Sequence, residues 1–254
     1  MEHSVETLYN GTDVFCSTVH RFGTDALLLA RFCVPKRSQR AADLCSGCGI
    51  VSLEWHDTGH RGPCAAVELQ PEASALLTEA LTSQPEAAAH ITPVCADLRQ
   101  YTPAEAGLFD LCACNPPYFV GGYRSTDAAR ATARHETDCE LADVAACAFR
   151  LLKDGGRLAL CHRPERMAEV FSTLCAHRLE PKRVALVKNK AGGAPWLFLV
   201  EAQKNRRPGL KWEPDVLIET GAALYGKSGD SSFFGGEKGS EKAAFGRLCV
   251  EDYI

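Results

Sequence analysis

The sequence has no excess of positive charge and no long apolar segment. Its 254 residues include 28 Lys and Arg against 32 Asp and Glu, a formal net charge of −4. Because no global positive field exists, any surface that binds nucleic acid must be local. No run approaches the roughly 20 apolar residues of a membrane-spanning helix, and residues 1–10 lack the apolar core of a secretory signal. We therefore expect a cytoplasmic protein with no membrane partner.

Paired metal-binding patterns are also scarce, although cysteine is abundant. The 13 cysteines are odd in number and scattered, which is typical of reduced thiols that act as small apolar residues. Cys45 and Cys48 form a C-x-x-C pattern, and no second such pair exists to complete a zinc site. We expect no metal, while a redox pair or half of a zinc site stays open as an alternative for these two residues.

Short apolar runs alternate with helical stretches from about residue 41 to about residue 202, which predicts an α/β fold with a parallel sheet and right-handed connections. The predicted strands are Ala41–Cys45, Cys64–Leu69, Ile91–Asp97, Leu108–Asn115 and Gly156–His162. The predicted helices are Ile50–Asp57, Glu72–Ser83, Leu141–Leu152 and Pro164–His177. Two further runs, Arg183–Lys188 and Trp196–Ala202, predict an antiparallel hairpin at the sheet edge.

The segments that flank this pattern differ from it. Residues 19–33 predict a covering helix with a Thr-Asp cap. From Lys204 onward the character changes, and the Gly, Ser and Lys of residues 227–246 predict a loose tail. We therefore divide the chain into an N-terminal covering segment (1–40), a central domain (41–203) and a partly flexible C-terminal extension (204–254).

The turn after the first predicted strand is typical of nucleoside-binding sites. Gly47 and Gly49 allow a tight turn and let a ligand approach the backbone. Glu68 and Asp97 end the next two strands, where carboxylates can accept ribose hydroxyls and an adenine amino group. The third glycine of G-x-G-x-x-G is missing, which favours S-adenosylmethionine, with Asp43 near its ammonium group. Solvated strand-end acids are the alternative.

The motif C-N-P-P-Y-F ends the fourth predicted strand and suits the activation of an aromatic amine. The side-chain oxygen of Asn115 and the carbonyl of Pro116 can accept both hydrogens of a planar NH2 group, which aims the nitrogen lone pair at a methyl group. Pro117 restricts the backbone, and Tyr118 offers a ring face for stacking a base. A Pro-Pro turn with an Asn cap is the structural alternative.

The stretches DLCSGCGI, VELQ, ADL, NPPYF, ARHE, LLKDGGRLAL and PERMAEV, in this order, resemble the methyltransferase small-domain family, and within it the bacterial tRNA1(Val) (adenine-37-N6)-methyltransferases. The resemblance implies a class I, Rossmann-like methyltransferase with S-adenosylmethionine as cofactor and a mostly parallel seven-stranded sheet that ends in an antiparallel hairpin. It also implies N6-methylation of an adenine in tRNA. The sequence departs from the family at Cys45, Ser46 and Cys48, where Gly, Thr or Asn is more usual, and in its long tail.

The resemblance implies roles for individual residues. The implied catalytic residues are Asn115, Pro116, Pro117 and Tyr118. The implied cofactor-binding residues are Phe22, Asp25, Asp43, Cys45, Gly47, Gly49, Glu68, Leu69, Asp97, Leu98 and Asn115.

Recognition of RNA must depend on local side chains. The candidates for stacking or phosphate contact are Tyr118, Phe119, Arg134, His135, Lys182, Arg183, Lys188, Lys190, Lys204, Arg206 and Arg207. A solvated rim is the alternative for each basic residue. We expect residues 121–137 to order over a flipped base when RNA binds, and we expect a monomer or a weak dimer.

Other functions use similar motifs. A protein glutamine N5-methyltransferase shares the NPPY chemistry but usually carries a separate N-terminal helical domain, whereas about 40 residues precede the first predicted strand here. A methyltransferase for another RNA or DNA amine, or for a small molecule, stays open. A non-catalytic nucleotide-binding or redox module is the alternative from a different class.

Overall fold

A computed structural model describes residues 3–103, 108–116 and 139–218. Its strands are β1 (Ser4–Thr7), β2 (Asp13–Cys16), β3 (Ala41–Leu44), β4 (Cys64–Glu68), β5 (Ile91–Cys95), β6 (Phe109–Cys114), β7 (Leu152–His162), β8 (Leu179–Lys188), β9 (Pro195–Lys204), β10 (Lys211–Trp212) and β11 (Val216–Leu217). Its helices are α1 (Thr24–Phe32), α2 (Ile50–Asp57), α3 (Pro71–Thr82), α4 (Pro85–Ala88), α5 (Leu141–Leu151) and α6 (Met167–Ala176), with a short 3-10 helix at Pro164–Arg166.

A nine-stranded sheet organises these elements in the order β10-β8-β9-β7-β6-β3-β4-β5, with β11 also paired to β8. Strands β3 to β7 run parallel to one another, and β9 is antiparallel to both β7 and β8. The predicted α/β architecture is therefore confirmed, since the seven strands from β3 to β9 form the body of the sheet.

The predicted antiparallel hairpin is confirmed as β8 and β9, at one side of the sheet. Strand β9 is the inner strand of this hairpin. It is inserted between β7 and β8, and both of its neighbours hydrogen-bond to it. Its residues 197–202 are all buried, as expected of a strand that is covered on both faces. Only β8 faces outward, where the two-residue strands β10 and β11 pair with it.

Helices cover the sheet on both faces. Leu27 of α1, Leu53 of α2 and Leu77 of α3 belong to the apolar cluster on one face. Val144 of α5 and Leu174 of α6 belong to the cluster on the other face. In the ranges that the structure describes, no helix is both long and apolar enough to cross a membrane.

The N-terminal residues form a β1–β2 hairpin that the sequence did not predict. The carboxylate of Asp57 in α2 accepts the backbone N–H groups of Asn10 at 2.8 Å and Thr12 at 3.0 Å. Helix α1 then begins after Gly23, which has no side-chain capping bond. The predicted Thr-Asp cap is therefore wrong at the N-cap position, although Asp25 Oδ1 accepts the N–H of Ala26 at 2.9 Å.

Candidate active site

The carboxyl ends of adjacent parallel strands bring the predicted polar residues to one edge of the sheet. Leu44 of β3 pairs with Cys114 of β6, so the turn from Cys45 and the segment from Asn115 begin side by side. Neighbouring strands lie about 4.8 Å apart. Glu68 ends β4 on the other side of β3 and pairs with Cys95 of β5. This edge is the expected ligand crevice of an open α/β sheet.

The two glycines of the turn after β3 serve different purposes. Gly49 has φ 84° at the N-cap of α2, and a Cβ there would lie 2.5 Å from Cδ1 of Leu77 in α3. Gly49 therefore permits the close approach of the turn to Leu77 of α3, and its contact with the cofactor stays a prediction. Gly47 has φ 56°, and a Cβ there would meet no atom within 4 Å. Of the two, Gly47 alone borders open space.

The carboxylate of Glu68 holds this turn in place. Oε2 accepts the backbone N–H of Gly47 at 2.8 Å, and Oε1 accepts that of Gln70 at 2.9 Å. The side chain is buried. A carboxylate has about four lone-pair sites, so each oxygen keeps a second site for a ligand hydroxyl. Ribose binding by Glu68 stays a prediction, beside a structural role that the sequence did not reveal.

Asp43 lies beneath the turn and is 1% exposed. Its Oδ2 accepts the N–H of Ser52 in the first turn of α2 at 3.1 Å. Desolvation raises the pKa of Asp43 to about 7, against the hydrogen bonds from Ser52, which lower it. At this depth Asp43 can act on a ligand electrostatically or through a bridging water, since its side chain does not reach the surface.

Two further polar residues border the crevice and were not predicted. Ser46 is buried in the turn, and its Oγ has no hydrogen-bond partner in the part of the chain that the structure describes. A buried hydroxyl without a partner is costly, so Ser46 marks a position where a ligand oxygen or nitrogen would be stabilised. Arg99 donates two hydrogen bonds to Oδ2 of Asp97, from Nε at 2.9 Å and from Nη2 at 2.7 Å. This contact lowers the pKa of Asp97.

Asn115 is the first residue after β6, and it is half-buried. Its Oδ1 accepts a hydrogen bond from the thiol of Cys161 in β7, with 3.1 Å between sulfur and oxygen. Pro116 follows and is buried. Five predicted site residues lie outside the described residues: Pro117, Tyr118, Phe119, Arg134 and His135. The predicted lid at 121–137 and the predicted tail at 227–246 also lie outside them.

The sulfurs of the C-x-x-C pattern have separate partners. The interaction with Cys16 of β2 raises the pKa of Cys48, whereas the interaction with Cys114 raises the pKa of Cys45. Reactive redox cysteines usually have a lowered pKa, so this geometry does not favour a Cys45–Cys48 redox pair. Within the described ranges, no group of three or more His, Cys, Asp or Glu side chains could hold a metal ion.

The remaining predicted cofactor residues are divided between the site and the core. Phe22 is half-buried and packs against the apolar cluster that contains Cys16 and Cys48. Asp25 is half-buried at the start of α1, and Leu69 is exposed just after β4. Leu98 is buried in the cluster with α5 and α6, so its side chain serves the core.

Four predicted RNA-contacting residues do not lie at the carboxyl edge of the sheet. Arg206 pairs with Asp154 near the start of β7, at the opposite edge. Lys182 donates to the backbone carbonyl of Arg207 at 3.2 Å. Arg183 bonds to the buried carboxylate of Glu201 at 3.2 Å and stacks 4.4 Å over the ring of Phe32.

Lys182, Arg183 and Arg206 therefore have side-chain partners away from the crevice, and Arg207 meets Lys182 through its backbone carbonyl. Lys204 is engaged in a similar way, because its Nζ donates to the carbonyls of Phe149 and Leu152 at the end of α5.

Other basic groups do lie at the carboxyl edge. Arg163 follows β7 directly, is exposed, and has its guanidinium 5.9 Å from the ring centre of Trp196. Lys188 ends β8 and pairs with Asp215 at 2.5 Å. Lys190 is exposed in the loop before β9. The sequence indicated both lysines, whereas Arg163 was missed because its place depends on where β7 ends.

Comparison with known proteins gives close relatives in sequence. The family model described as methyltransferase small domain matches residues 6–174. A tRNA1(Val) (adenine(37)-N6)-methyltransferase of Tolumonas auensis is 31% identical over 181 residues, 71% of this chain and 75% of that protein. The protein of the same name from Cronobacter sakazakii is 30% identical over 200 residues, 78% of this chain and 80% of that protein.

Solved structures resemble the fold at low sequence identity. A predicted O-methyltransferase from Agrobacterium tumefaciens has a TM-score of 0.57 at 22% identity, covering 77% of this chain and 88% of that one. P. horikoshii TYW2 in complex with MeSAdo has a TM-score of 0.55 at 17% identity, covering 80% and 72%. The predicted class I, Rossmann-like fold is confirmed.

Proposed function

The chain belongs to the methyltransferase small domain family and is an S-adenosylmethionine-dependent methyltransferase, and on this premise we propose that it methylates the N6 amino group of an adenine in tRNA. The specific substrate we propose is adenine 37 of tRNA1(Val), which is the substrate in the names of the relatives from Tolumonas auensis and Cronobacter sakazakii. The residue roles below belong to this proposal.

One observation carries the proposal: Asn115 follows β6, and the glycine turn follows the neighbouring strand β3. Because Leu44 and Cys114 are paired, Asn115 and the turn that holds Gly47 begin at the same edge of the sheet, and we assign the carboxamide of Asn115 and the open side of Gly47 to one crevice. A methyl donor held at the turn and a planar amine held at Asn115 would therefore be neighbours. Such positioning is the main requirement for direct transfer between two bound groups.

The residues of the crevice fit the cofactor. Gly47 borders open space, Ser46 supplies a buried hydroxyl without a described partner, and Glu68 keeps lone pairs beyond those used by Gly47 and Gln70. We assign the amino-acid end of S-adenosylmethionine to the turn and its ribose to Glu68. When bound, this cofactor supplies the electrophilic methyl group.

The work of the protein at the acceptor is to orient the amine. The amino group of adenine is a poor nucleophile because its lone pair is delocalised into the ring. Oδ1 of Asn115 and the carbonyl of Pro116 would accept its two hydrogens and align the lone pair with the methyl group. The nitrogen becomes cationic only when the new N–C bond forms, so its proton leaves after transfer and no strong base is needed.

The choice of tRNA rests on the relatives and on local charge. Arg163, Lys188 and Lys190 lie along the edge that holds Asn115, and cations in such a row suit the phosphates of a folded RNA. Lys182, Arg183, Arg206 and Arg207 are not part of this proposed surface, because they lie away from the carboxyl edge of the sheet that holds Asn115. The roles predicted for residues 117–119, 134 and 135, and the division into three segments, stay predictions.

Transfer of labelled methyl groups to RNA tests the proposal. We expect label in an unmodified tRNA1(Val) transcript and none in a transcript with guanine at position 37, and nucleoside mass spectrometry should identify N6-methyladenosine. Release factor and duplex DNA serve as alternative acceptors. Label in release factor alone would instead indicate a protein glutamine methyltransferase.

A pair of Asn variants tests the catalytic role. Asn115→Ala should retain S-adenosylmethionine binding in calorimetry and lose transfer. The control is Asn205→Gly, which removes a carboxamide beside Asp154 at the other edge and keeps a residue suited to φ 56°. Normal transfer by Asn115→Ala would contradict the assignment.

A further inference from the structure

We propose that Cys161 is a positioning residue, which holds the carboxamide of Asn115 in the orientation that accepts the target amine. This inference rests on the proposed function, since it concerns the same site. Its basis is the hydrogen bond from the Cys161 thiol to Oδ1 of Asn115, with the heavy atoms 3.1 Å apart.

The two residues are neighbours because of strand register. Cys114 and Leu160 pair across β6 and β7, and Asn115 and Cys161 are the next residues on each side. Asn115 already lies beyond the end of β6, whereas Cys161 remains inside β7 and also pairs with Leu199 of β9. Cys161, which is fixed in the sheet, thus contacts the side chain of Asn115, which lies just beyond it.

Burial makes Cys161 a fixed reference point. Its side chain is 0% exposed and belongs to the apolar cluster that faces α1 and α2. Side chains in such close-packed surroundings sit in rotamer minima, so the sulfur has a well-defined average position. The carboxamide of Asn115 is half-buried, and the broad torsion about its last bond leaves its orientation to be set by neighbours.

The direction of the bond matters for the chemistry. A carboxamide presents an acceptor oxygen or a donor NH2 group to the crevice, depending on a half-turn about its last bond. An S–H donor favours the orientation with the oxygen at the sulfur side. In the complex that we propose, one lone pair of Oδ1 accepts the thiol and the other accepts an amine hydrogen. Without the donor, the NH2 group can take this place and repel the hydrogens of the acceptor amine.

This role is unlike that of the other cysteines near the site. Cys45 and Cys114 have each other as hydrogen-bond partners, and Cys112 is buried in the cluster with α5 and α6. From the sequence we expected Cys112, Cys114 and Cys161 to act as small apolar residues, while Cys45 was also a candidate for cofactor binding. Cys161 differs because its partner is the carboxamide placed at the centre of the proposed chemistry.

Three variants separate positioning from packing. In Cys161→Ala we expect kcat for tRNA methylation to fall about 3- to 10-fold, the range of one modest hydrogen bond, with KM for tRNA and the affinity for S-adenosylmethionine unchanged. Cys161→Ser keeps a donor and should return kcat to within about 2-fold of wild type. Cys112→Ala removes the same atom from an equally buried position and should lower Tm without lowering kcat.

A thermodynamic cycle tests the contact without any acceptor. The shifts in urea unfolding midpoint of Cys161→Ala and Asn115→Ala should be non-additive in the double variant, whereas those of Cys112→Ala and Asn115→Ala should add.

The proposal is overturned by additivity in the first cycle, by an unchanged kcat in Cys161→Ala, by equal losses of kcat in the Cys161 and Cys112 variants, or by a serine variant no better than alanine. If Asn115→Ala is inactive and Cys161→Ala is normal, the proposed function stands and this inference fails. If the wild-type protein methylates no tRNA while the first cycle is non-additive, the proposed function fails and the contact stands.

Discussion

The carboxylate of Glu68 accepts the backbone N–H of Gly47 across 2.8 Å, so the end of β4 fixes the turn that follows β3. The same carboxylate accepts the N–H of Gln70. Both oxygens of Glu68 therefore accept backbone hydrogen bonds in the absence of a ligand. Glu68, which we predicted to bind ribose, also stabilises the turn.

Replacement of Glu68 by glutamine should uncouple the turn from β4. One carboxylate oxygen becomes an NH2 group that faces a backbone N–H, and a buried donor is left unsatisfied at a cost of about 1–3 kcal/mol. We expect the free energy of unfolding to fall by that amount and the Kd for S-adenosylmethionine to rise at least about tenfold. Glu72→Gln on the exposed side of α3 is the matched control, and calorimetry with chemical denaturation measures both quantities.

Alanine at each glycine of the turn should affect different properties: stability at Gly49 and cofactor affinity at Gly47. Gly49→Ala places a Cβ against Leu77 at a positive φ, so we expect a loss of stability above about 2 kcal/mol. Gly47→Ala meets no neighbour and should cost about 1 kcal/mol through its φ alone, yet it should weaken cofactor binding because the methyl group fills the open side. Equal cofactor affinity in Gly47→Ala and wild type would place the ligand elsewhere.

The affinity for S-adenosylmethionine should rise with pH through about 7. Burial raises the pKa of Asp43 to about 7, so at lower pH the carboxyl is protonated and offers no negative charge to the ammonium group. Between about pH 6 and about pH 8 we expect a gain in affinity of up to about tenfold. In Asp43→Asn, which keeps an acceptor for Ser52, this pH dependence should be lost in calorimetric titrations.

Without cofactor, the same group should act on stability in the other direction. The pKa of Asp43 in the folded chain lies above the ordinary value of 3.8, so between about pH 4 and about pH 7 the folded state binds more protons than the unfolded state. Its contribution to the free energy of unfolding is complete at the acidic end of this window and is lost as pH rises. The difference between Asp43→Asn and wild type in chemical denaturation should therefore change with pH across this window.

Neutral substitutions of basic residues should distinguish the two edges of the sheet. Arg163→Gln and Lys190→Gln should each raise KM for tRNA about 2- to 5-fold and reduce its salt dependence, as expected for phosphate contacts. Arg206→Gln, at the edge with Asp154, should leave KM unchanged. Arg183→Gln should lower Tm, because Glu201 loses one of its two arginine partners. A raised KM in Arg206→Gln, with unchanged KM in Arg163→Gln and Lys190→Gln, would indicate that RNA binds near Arg206 instead.

The sequence predicted the sheet and the motif positions because both depend on local patterns. Alternation of apolar strands with helices located β3 to β9, and parallel strands necessarily gather the residues after them at one edge. The β1–β2 hairpin was missed because its strand SVET is short and almost wholly accessible, so no apolar alternation distinguishes it from a loop.

The partners of single side chains could not be predicted in the same way. Which edge holds Arg206 depends on the direction of β8 and β9, and the contact between Cys161 and Asn115 depends on the exact register of β6 and β7. Glu68 stabilises the turn at Gly47, and Gly49 leaves room for Leu77 of α3. These roles can be recognised only when the folded structure is known. Long-range geometry of this kind leaves no periodic trace along the chain.

The insertion of β9 between β7 and β8 has a consequence for biosynthesis. Until residue 204 has left the ribosome, β7 has only β6 beside it, and a buried apolar strand presents unpaired backbone groups along its other side. Completion of the sheet must therefore wait for a late segment of the chain. A nascent chain of which only the residues up to about 190 have left the ribosome would expose the unpaired side of β7. A chaperone that binds unfolded segments is suited to cover this strand.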